Sequence, residues 1–163
     1  MAVIRANPGL FTYRNSKGGG SFVPEAGAKL YVVGQNPESW RSTGADTLAA
    51  RLLVGFNVGI HPTWKLDDVV RIVKRVRRKK PGASFVLQRG LYRHRRKIKG
   101  KRRLVEEDGV QLIIVDLWAT PQQRWEAQTI SLAETLAREL KQEEVVVEIQ
   151  RGGVTQNVIG VTP

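Results

Sequence analysis

The residues best suited to chemistry in this chain are cations, and they are concentrated in one stretch. Residues 71–103 contain 16 of the 27 Lys and Arg residues and no Asp or Glu, whereas the other 130 residues carry 11 basic and 15 acidic groups. The formal net charge of +12 therefore arises from about one fifth of the chain. Because like charges repel one another, we expect an anion to lie against this stretch, and nucleic acid is the first polyanion to consider.

These cations predict contacts to the phosphate backbone of DNA or RNA. Lys and Arg without interleaved aromatic residues indicate recognition of charge rather than of base sequence. One aromatic residue, Tyr92, directly precedes the basic run 93–103. The predicted nucleic-acid-binding residues are Arg71, Lys74, Arg75, Arg77, Arg78, Lys79, Lys80, Arg89, Tyr92, Arg93, Arg95, Arg96, Lys97, Lys99, Lys101, Arg102 and Arg103.

Acid–base catalysis has few candidate residues in this sequence. The chain has two His residues and no Cys, and it lacks the Gly-x-Ser-x-Gly motif of many Ser nucleophiles. His94 lies inside the basic run, where an RNase-like general base is conceivable, and His61 precedes a proline in a turn, which favours a structural role. We therefore predict no catalytic residue.

One group of carboxylates is a candidate for binding Mg²⁺. Glu106, Glu107 and Asp108 follow the basic run, and Asp116 lies further along the same predicted strand. Residues two apart on a strand share a face, but Asp116 would lie roughly 26 Å from Asp108 at ~3.3 Å per residue. That span is too long for one metal ion, and compensation of the neighbouring cations explains the acidic trio. We predict neither a metal site nor a cofactor.

The composition excludes several classes of protein. Without Cys, the chain has neither disulfides nor thiolate metal sites, which fits a reducing compartment. No apolar run approaches the ~20 residues of a membrane helix, and the first residues lack the apolar segment of a signal peptide. We expect a cytoplasmic or virion-associated protein with no membrane partner.

The sequence divides into an N-terminal arm, 1–48, and a body, 49–163, that carries the basic loop 93–103. Four Gly- or Pro-containing turn signals interrupt the arm, and two short strands are predicted between them, Leu10–Tyr13 and Lys29–Val33. Trp40 is predicted to anchor the arm to the body. The arm is therefore expected to be irregular.

The body is predicted to alternate strands and helices. Apolar residues at helical spacing, preceded by Thr63 as an N-cap and followed by Pro81-Gly82, predict a helix over 63–80. Thr120 and the Pro that follows it predict the start of a second helix, which ends near Lys141. The predicted strands cover 51–58, 83–92, 104–118, 144–151 and 154–161.

The order β-α-β-β-α-β over residues 51–151 resembles the ferredoxin-like split-βαβ fold. The resemblance implies an α+β two-layer sandwich with two helices on one face of an antiparallel sheet. The irregular N-terminal arm and an extra C-terminal β-hairpin strand would be additions to it. The resemblance implies no activity, because this fold carries many unrelated functions.

The sequence thus predicts a non-enzymatic nucleic-acid-binding protein that contacts phosphates through the basic helix 63–80 and the basic β-hairpin loop 93–103. The first alternative is a structural or assembly subunit of a phage particle or nucleoprotein complex, as a homo-oligomer or part of a larger assembly. The second alternative is a small nuclease or ligand-binding enzyme.

Overall fold

The computed structural model describes residues 10–15, 18–27, 30–34, 47–79, 84–116 and 120–163. Within them the chain forms ten strands and two helices, in an order that places three strands before the body. The strands are β1 (Phe11–Asn15), β2 (Gly18–Pro24), β3 (Tyr31–Val33), β4 (Leu48–Gly55), β5 (Asn57–Val58), β6 (His61–Pro62), β7 (Ser84–Ile98), β8 (Lys101–Val115), β9 (Val145–Arg151) and β10 (Val154–Val161). The helices are α1 (Leu66–Lys79) and α2 (Gln122–Glu139).

The two helices form where the apolar spacing predicts them. In α1, Val69, Val70 and Val73 are buried, acidic residues occupy the first turn and basic residues the last, which suits the helix dipole. Thr63 is not the N-cap that the sequence predicts, because its hydroxyl donates to the His61 carbonyl. The helix begins later, at Leu66, and the Lys65 backbone amide donates to the Asp68 carboxylate there. In the described part of the chain, no helix is both long and apolar enough to cross a membrane.

The sheet is built around the long hairpin of β7 and β8. Its strands pair in the order β1-β2-β7-β8-β4-β9-β10, and β3 pairs with the other half of the β7 edge that β2 occupies. The β7–β8 ladder continues to the pair Ile98–Lys101. Lys99 and Gly100 form the connection, both with positive φ, as tight two-residue hairpins require. The predicted loop 93–103 is therefore wrong, because most of those residues belong to the strands.

The outer face of the sheet packs against the helices and forms the larger core. Alternate residues of the central strands, such as Leu52, Leu87, Leu112 and Val147, meet Val73 and its neighbours on α1 and the apolar side of α2. All five of these side chains are fully buried. Burying an aliphatic side chain contributes about 1.5–3 kcal/mol, so this layer supplies much of the stability.

The inner face of the sheet encloses a second apolar cluster. Phe11 and Tyr13 of the first strand pack with Phe22, Leu53, Tyr92 and Val146, and Val158 of the last strand lies against the same cluster. Side chains from β1 and β10, the first and last strands in the order of the sheet, therefore pack in one cluster, and the sheet curls into a nearly closed, barrel-like form.

The predicted two-layer ferredoxin-like fold is wrong for this reason. The strands and helices of the body follow the predicted order, but β1, β2 and β3 extend the sheet beyond β7. That extension curves back so that the inner face is covered by strands. The mostly antiparallel, barrel-like sheet buries both of its faces, whereas a two-layer sandwich buries one.

The N-terminal segment contributes regular structure to this sheet. The predicted strands at Leu10–Tyr13 and Lys29–Val33 are confirmed as β1 and β3, with shifted bounds. The turn signals at 7–9 and 36–38 and the proposed anchor Trp40 lie outside the described residues. The division into domains 1–48 and 49–163 stays a prediction.

Three glycines face one another across the centre of the sheet. Gly90 of β7 pairs with Gly109 of β8, which pairs with Gly55 of β4. A Cβ atom at Gly90 would lie 2.5 Å from the Phe22 ring, and one at Gly55 would overlap the carboxylate of Glu107. Glycine inside a strand often marks such a close approach. The three positions together make room on the inner face.

A tyrosine pair closes the inner cluster. The hydroxyl groups of Tyr13 and Tyr92 lie 3.1 Å apart, and both side chains are buried. Burial raises the pKa of Tyr92 well above its ordinary value, and Tyr13 and the Glu144 and Glu107 carboxylates add to the rise. Burial also raises the pKa of Tyr13, although its hydrogen bond to Tyr92 offsets part of the effect.

We expect Gly55→Ala to destabilise the fold by about 1–3 kcal/mol, because the added methyl group displaces Glu107. Urea unfolding measures the free energy. The control is the same substitution in a Glu107→Ala background, where the obstructed side chain is absent. A cost that is equal in both backgrounds would contradict the overlap with Glu107 as its cause.

The buried tyrosine pair predicts a loss of stability at alkaline pH. Because the pKa of Tyr92 is raised in the folded state, the unfolded chain loses this proton first once the pH exceeds about 10, and the free energy of unfolding then falls. Tyr92→Phe removes this contribution, so its stability should fall less steeply with rising pH. Equal slopes for the two proteins, measured by denaturant unfolding, would refute the assignment.

Candidate active site

A buried carboxylate on the inner face of the sheet holds several polar groups around it. The Glu107 side chain has no exposed surface, and its Oε2 atom lies 2.7 Å from His94 Nε2 and 3.1 Å from Arg96 Nη2. Its Oε1 atom accepts a hydrogen bond of 2.9 Å from the backbone amide of Asn57. A buried charge is stable only when paired and hydrogen-bonded, and each oxygen here has a partner.

The strand pleat places these groups together. Tyr92, His94 and Arg96 alternate along β7 and therefore project to one face, while Glu107 lies directly opposite Tyr92 on β8. The Arg96 guanidinium also donates to the Gly59 carbonyl, which ties the turn after β5 to the hairpin. The β7–β8 register thus fixes the site.

Aromatic rings form the floor of the site. The Tyr92 and His94 rings are stacked with centroids 4.1 Å apart and planes 20° from parallel. Tyr13 reaches the same place from β1 through its hydroxyl contact with Tyr92. Stacked rings offer a flat, electron-rich surface to a planar ring or a cation.

Above this floor is a small cavity whose rim carries both signs of charge. Its volume in this structure is about 20 Å³. Glu143 and Glu144, between α2 and β9, lie on one side, and the β7–β8 hairpin supplies Arg95 and Arg102. Carboxylates, guanidinium groups and aromatic rings together suit a ligand that has both cationic and anionic groups and a planar ring.

A second polar network fills the inner face further from the rim. Gln111 donates to Gln88 over 3.1 Å, and Arg51 lies 3.5 Å from Glu148. Burial lowers the pKa of Arg51, and the Glu148 carboxylate opposes that shift. The Arg51 guanidinium also lies 4.3 Å from the centre of the Phe11 ring. These contacts link β1 to the central strands, which indicates a structural role.

The predicted nucleic-acid-binding residues lie on three different elements of the structure. Most of the described ones lie on α1 or on exposed positions of β7 and β8, whereas Tyr92 and Arg96 are buried on the inner face. Lys80 lies outside the described residues. In the described part of the chain, ion pairs with the protein's own carboxylates include those of Arg71, Arg75, Arg89, Arg93 and Arg96.

The acidic residues considered for Mg²⁺ are separated by the pleat. Glu106 points outward and pairs with Arg93 at 2.8 Å, Glu107 is buried, and Asp116 accepts hydrogen bonds from Thr120. Across the described residues, no three His, Cys, Asp or Glu side chains converge as a metal site would require. The expected compensation of charge by the trio is confirmed for Glu106 and Glu107.

Sequence reasoning identified part of this site and missed the rest. Tyr92, His94, Arg96 and Glu107 were each considered, but for nucleic-acid contact, general base catalysis or metal binding. Tyr13 was missed because it lies 79 residues from Tyr92 and no local pattern joins them. Glu144 begins the predicted strand 144–151, and Glu143 lies between that strand and the predicted helix, so neither residue was considered for the site. Their place on the rim follows from the curl of the sheet.

Comparison with known proteins gives few matches, and these agree with one another. No family model matches the chain, and neither does any curated protein. A solved structure of a phage SAM lyase in complex with S-methyl-5′-thioadenosine is 36% identical, with a TM-score of 0.64, over 76% of this chain and 95% of that protein. A phage SAM lyase in the apo state is 35% identical over the same shares, with a TM-score of 0.61.

These relatives overturn the predicted function. They are enzymes, so the prediction of a non-enzymatic nucleic-acid-binding protein is wrong, and a nucleic-acid partner is not supported. A physical reason for the error is that several of the cations pair with the protein's own carboxylates. A phage origin is consistent with the relatives, and a homo-oligomer stays a prediction. Because it is 36% identical to a solved relative over 76% of its own length and 95% of that protein, the chain belongs to the phage SAM lyase family.

Proposed function

We propose that this protein is a lyase that cleaves S-adenosylmethionine (SAM) and releases 5′-methylthioadenosine. The observation that carries the proposal is the 36% identity with a phage SAM lyase that holds S-methyl-5′-thioadenosine. The cavity beside Glu107 supports it, because its lining combines rings, carboxylates and guanidinium groups. We place the reaction there.

The chemical groups of SAM match that lining. SAM carries a sulfonium and an ammonium group, a carboxylate, and a planar adenine. Glu143 and Glu144 suit the cationic groups, and the Arg95 and Arg102 side chains on the same rim suit the carboxylate. The Tyr92–His94 stack suits adenine or the sulfonium. The substrate would thus be held at both ends of its reacting part.

The reaction we propose balances without water. The bond between sulfur and Cγ of the methionine part breaks, and its electron pair stays on sulfur, which becomes the neutral thioether of 5′-methylthioadenosine. The carboxylate oxygen of the same substrate forms the new bond to Cγ and closes a lactone. Opposite charges disappear in this step, so a site with little water favours it.

This route assigns the protein a task of positioning rather than of proton abstraction. Glu107 is already paired with Arg96 and His94, so it is poorly placed to act as a free base. Instead it fixes the His94 ring and, through it, the stacked Tyr92 ring. Holding the substrate's own carboxylate near its Cγ in a reactive geometry supplies much of the acceleration in such intramolecular reactions.

The proposed activity is tested by incubating the purified protein with SAM and identifying products by mass spectrometry. We expect 5′-methylthioadenosine and a second product one water lighter than homoserine, with the lactone distinguished from vinylglycine by its alkaline hydrolysis to homoserine. S-adenosylhomocysteine, which lacks the sulfonium charge, is the control and should remain intact. Recovery of unchanged SAM would overturn the proposed function.

The positioning role of Glu107 predicts that substitutions of Glu107 and of its neighbour Glu106 affect the activity differently. Glu107→Gln should lower kcat/KM for SAM by about 100-fold, because His94 and Tyr92 lose the charge that fixes them. Glu106→Gln is the matched control, since that exposed side chain faces Arg93 on the outer side, and its activity should stay near that of the unmodified protein. Steady-state kinetics on both variants, with thermal unfolding to verify folding, make the comparison. Equal activities would contradict the assignment.

A further inference from the structure

We infer that Trp64, which lies outside the lining of the cavity, is a positioning residue for the proposed lyase site. Its indole N–H holds the end of α2 and so places the rim carboxylates Glu143 and Glu144. The inference rests on the proposed function, since it concerns how these carboxylates meet the cationic groups of SAM. It gives the helical layer of the fold a part in binding the substrate.

The carboxylates of the site come from different parts of the fold. Glu107 lies on β8, whereas Glu143 and Glu144 lie in the connection between α2 and β9. Burial raises the pKa of both Tyr13 and Tyr92, and the nearby Glu144 carboxylate adds to each rise, so this connection reaches the aromatic floor. The position of the connection relative to β8 therefore decides where two charges of the site lie.

The end of α2 has a backbone conformation that its residue types do not favour. The Gln142 backbone amide donates to the Ala137 carbonyl over 2.8 Å. The Lys141 amide donates to the Arg138 carbonyl over 3.4 Å, which completes the Schellman pattern of a helix end. Lys141 takes the left-handed position of this pattern, with a φ of 50°, where glycine is usual. A side chain persists there only when the surrounding structure holds the turn.

Contacts on the Leu140 carbonyl, at the end of α2, hold this turn. The Trp64 indole N–H donates to it over 2.7 Å, and the Gln142 side-chain amide donates to it over 3.0 Å. The same Gln142 amide donates to the Asn57 carbonyl over 2.9 Å. Because the Asn57 backbone amide donates to Glu107, the turn is fastened to the segment that holds the buried carboxylate.

Trp64 is itself fixed to the strands that carry the rest of the site. Its backbone amide donates to the Phe56 carbonyl over 2.9 Å, and the Phe56 amide donates to the Asp108 carbonyl over 2.9 Å. Asp108 follows Glu107 on β8, and the Trp64 ring packs against the larger core. Hydrogen bonds thus run from β8 through Trp64 to the end of α2. Without the indole N–H, the connection 140–144 is free to shift relative to Glu107.

The variant Trp64→Phe isolates this contact, because it keeps an aromatic ring against the core and removes the indole N–H. Trp125→Phe is the matched control. Trp125 also packs in the larger core, but its buried indole nitrogen has no hydrogen-bond partner among the described residues. The same loss of ring area there breaks no bond to the end of α2. Thermal unfolding verifies that both variants fold.

We expect Trp64→Phe to raise KM for SAM about fivefold, the effect of losing one hydrogen bond, with kcat nearly unchanged. The reason is that the rim carboxylates contact charges that SAM already carries before it reacts. Trp125→Phe should leave KM near that of the unmodified protein. Steady-state kinetics make the comparison. An equal rise in KM for the two variants, or no rise for Trp64→Phe, would overturn the inference.

Calorimetric binding separates this inference from the proposed reaction. S-adenosylhomocysteine keeps the ammonium group of SAM, whereas 5′-methylthioadenosine has neither of its cationic groups. Trp64→Phe should weaken binding of S-adenosylhomocysteine about fivefold and leave that of 5′-methylthioadenosine unchanged. Equal weakening of both would indicate a general loss of structure and refute the positioning role. If the unmodified protein binds these ligands without cleaving SAM, the proposed reaction fails, and unequal effects on the two ligands still support the role of Trp64.

Discussion

The structure depends on the burial of one negative charge at the mouth of a curled sheet. Glu107 is removed from water, so its oxygens require Arg96, His94 and the Asn57 amide. Those partners come from the β7–β8 hairpin and from the start of β5, and the hairpin carries Tyr92 beside them. One electrostatic requirement thereby ties together the register of β7 and β8, the short β5–β6 pair and the aromatic floor.

Pairing with the protein's own carboxylates explains part of the basic stretch 71–103 without a polyanion. Arg96 neutralises a carboxylate inside the protein, and Arg93 and Arg89 pair with Glu106 and Glu25 on the surface. The carboxylates that pair with this basic stretch therefore come from segments that lie beside it in the sheet. Counting charges along the chain overstates the free positive charge, because a hairpin folds an acidic segment against a basic one.

The sequence predicted local elements better than their assembly. Apolar spacing identified both helices, and the basic run with Gly100 identified the β7–β8 hairpin, because those signals are local. The curl of the sheet was missed, since it follows from Phe11 and Tyr13 meeting Val146 and Val158 over a long separation in the chain. The site was divided among three hypotheses for the same reason. Tyr92, His94 and Glu107 become one constellation only when β8 is placed against β7 in register.

The row of facing glycines has a consequence for how this family can vary. Gly55, Gly90 and Gly109 each yield their volume to a larger neighbour, namely Glu107, the Phe22 ring and the backbone of β4. A homologue that acquires a bulkier residue at position 55 must shorten or relocate the side chain at position 107, whereas one at position 90 or 109 must also move neighbouring backbone. Substitutions at position 55 are consequently expected to covary with those at position 107, so the pattern of residues at these two positions among homologues would show which of them keep the buried carboxylate.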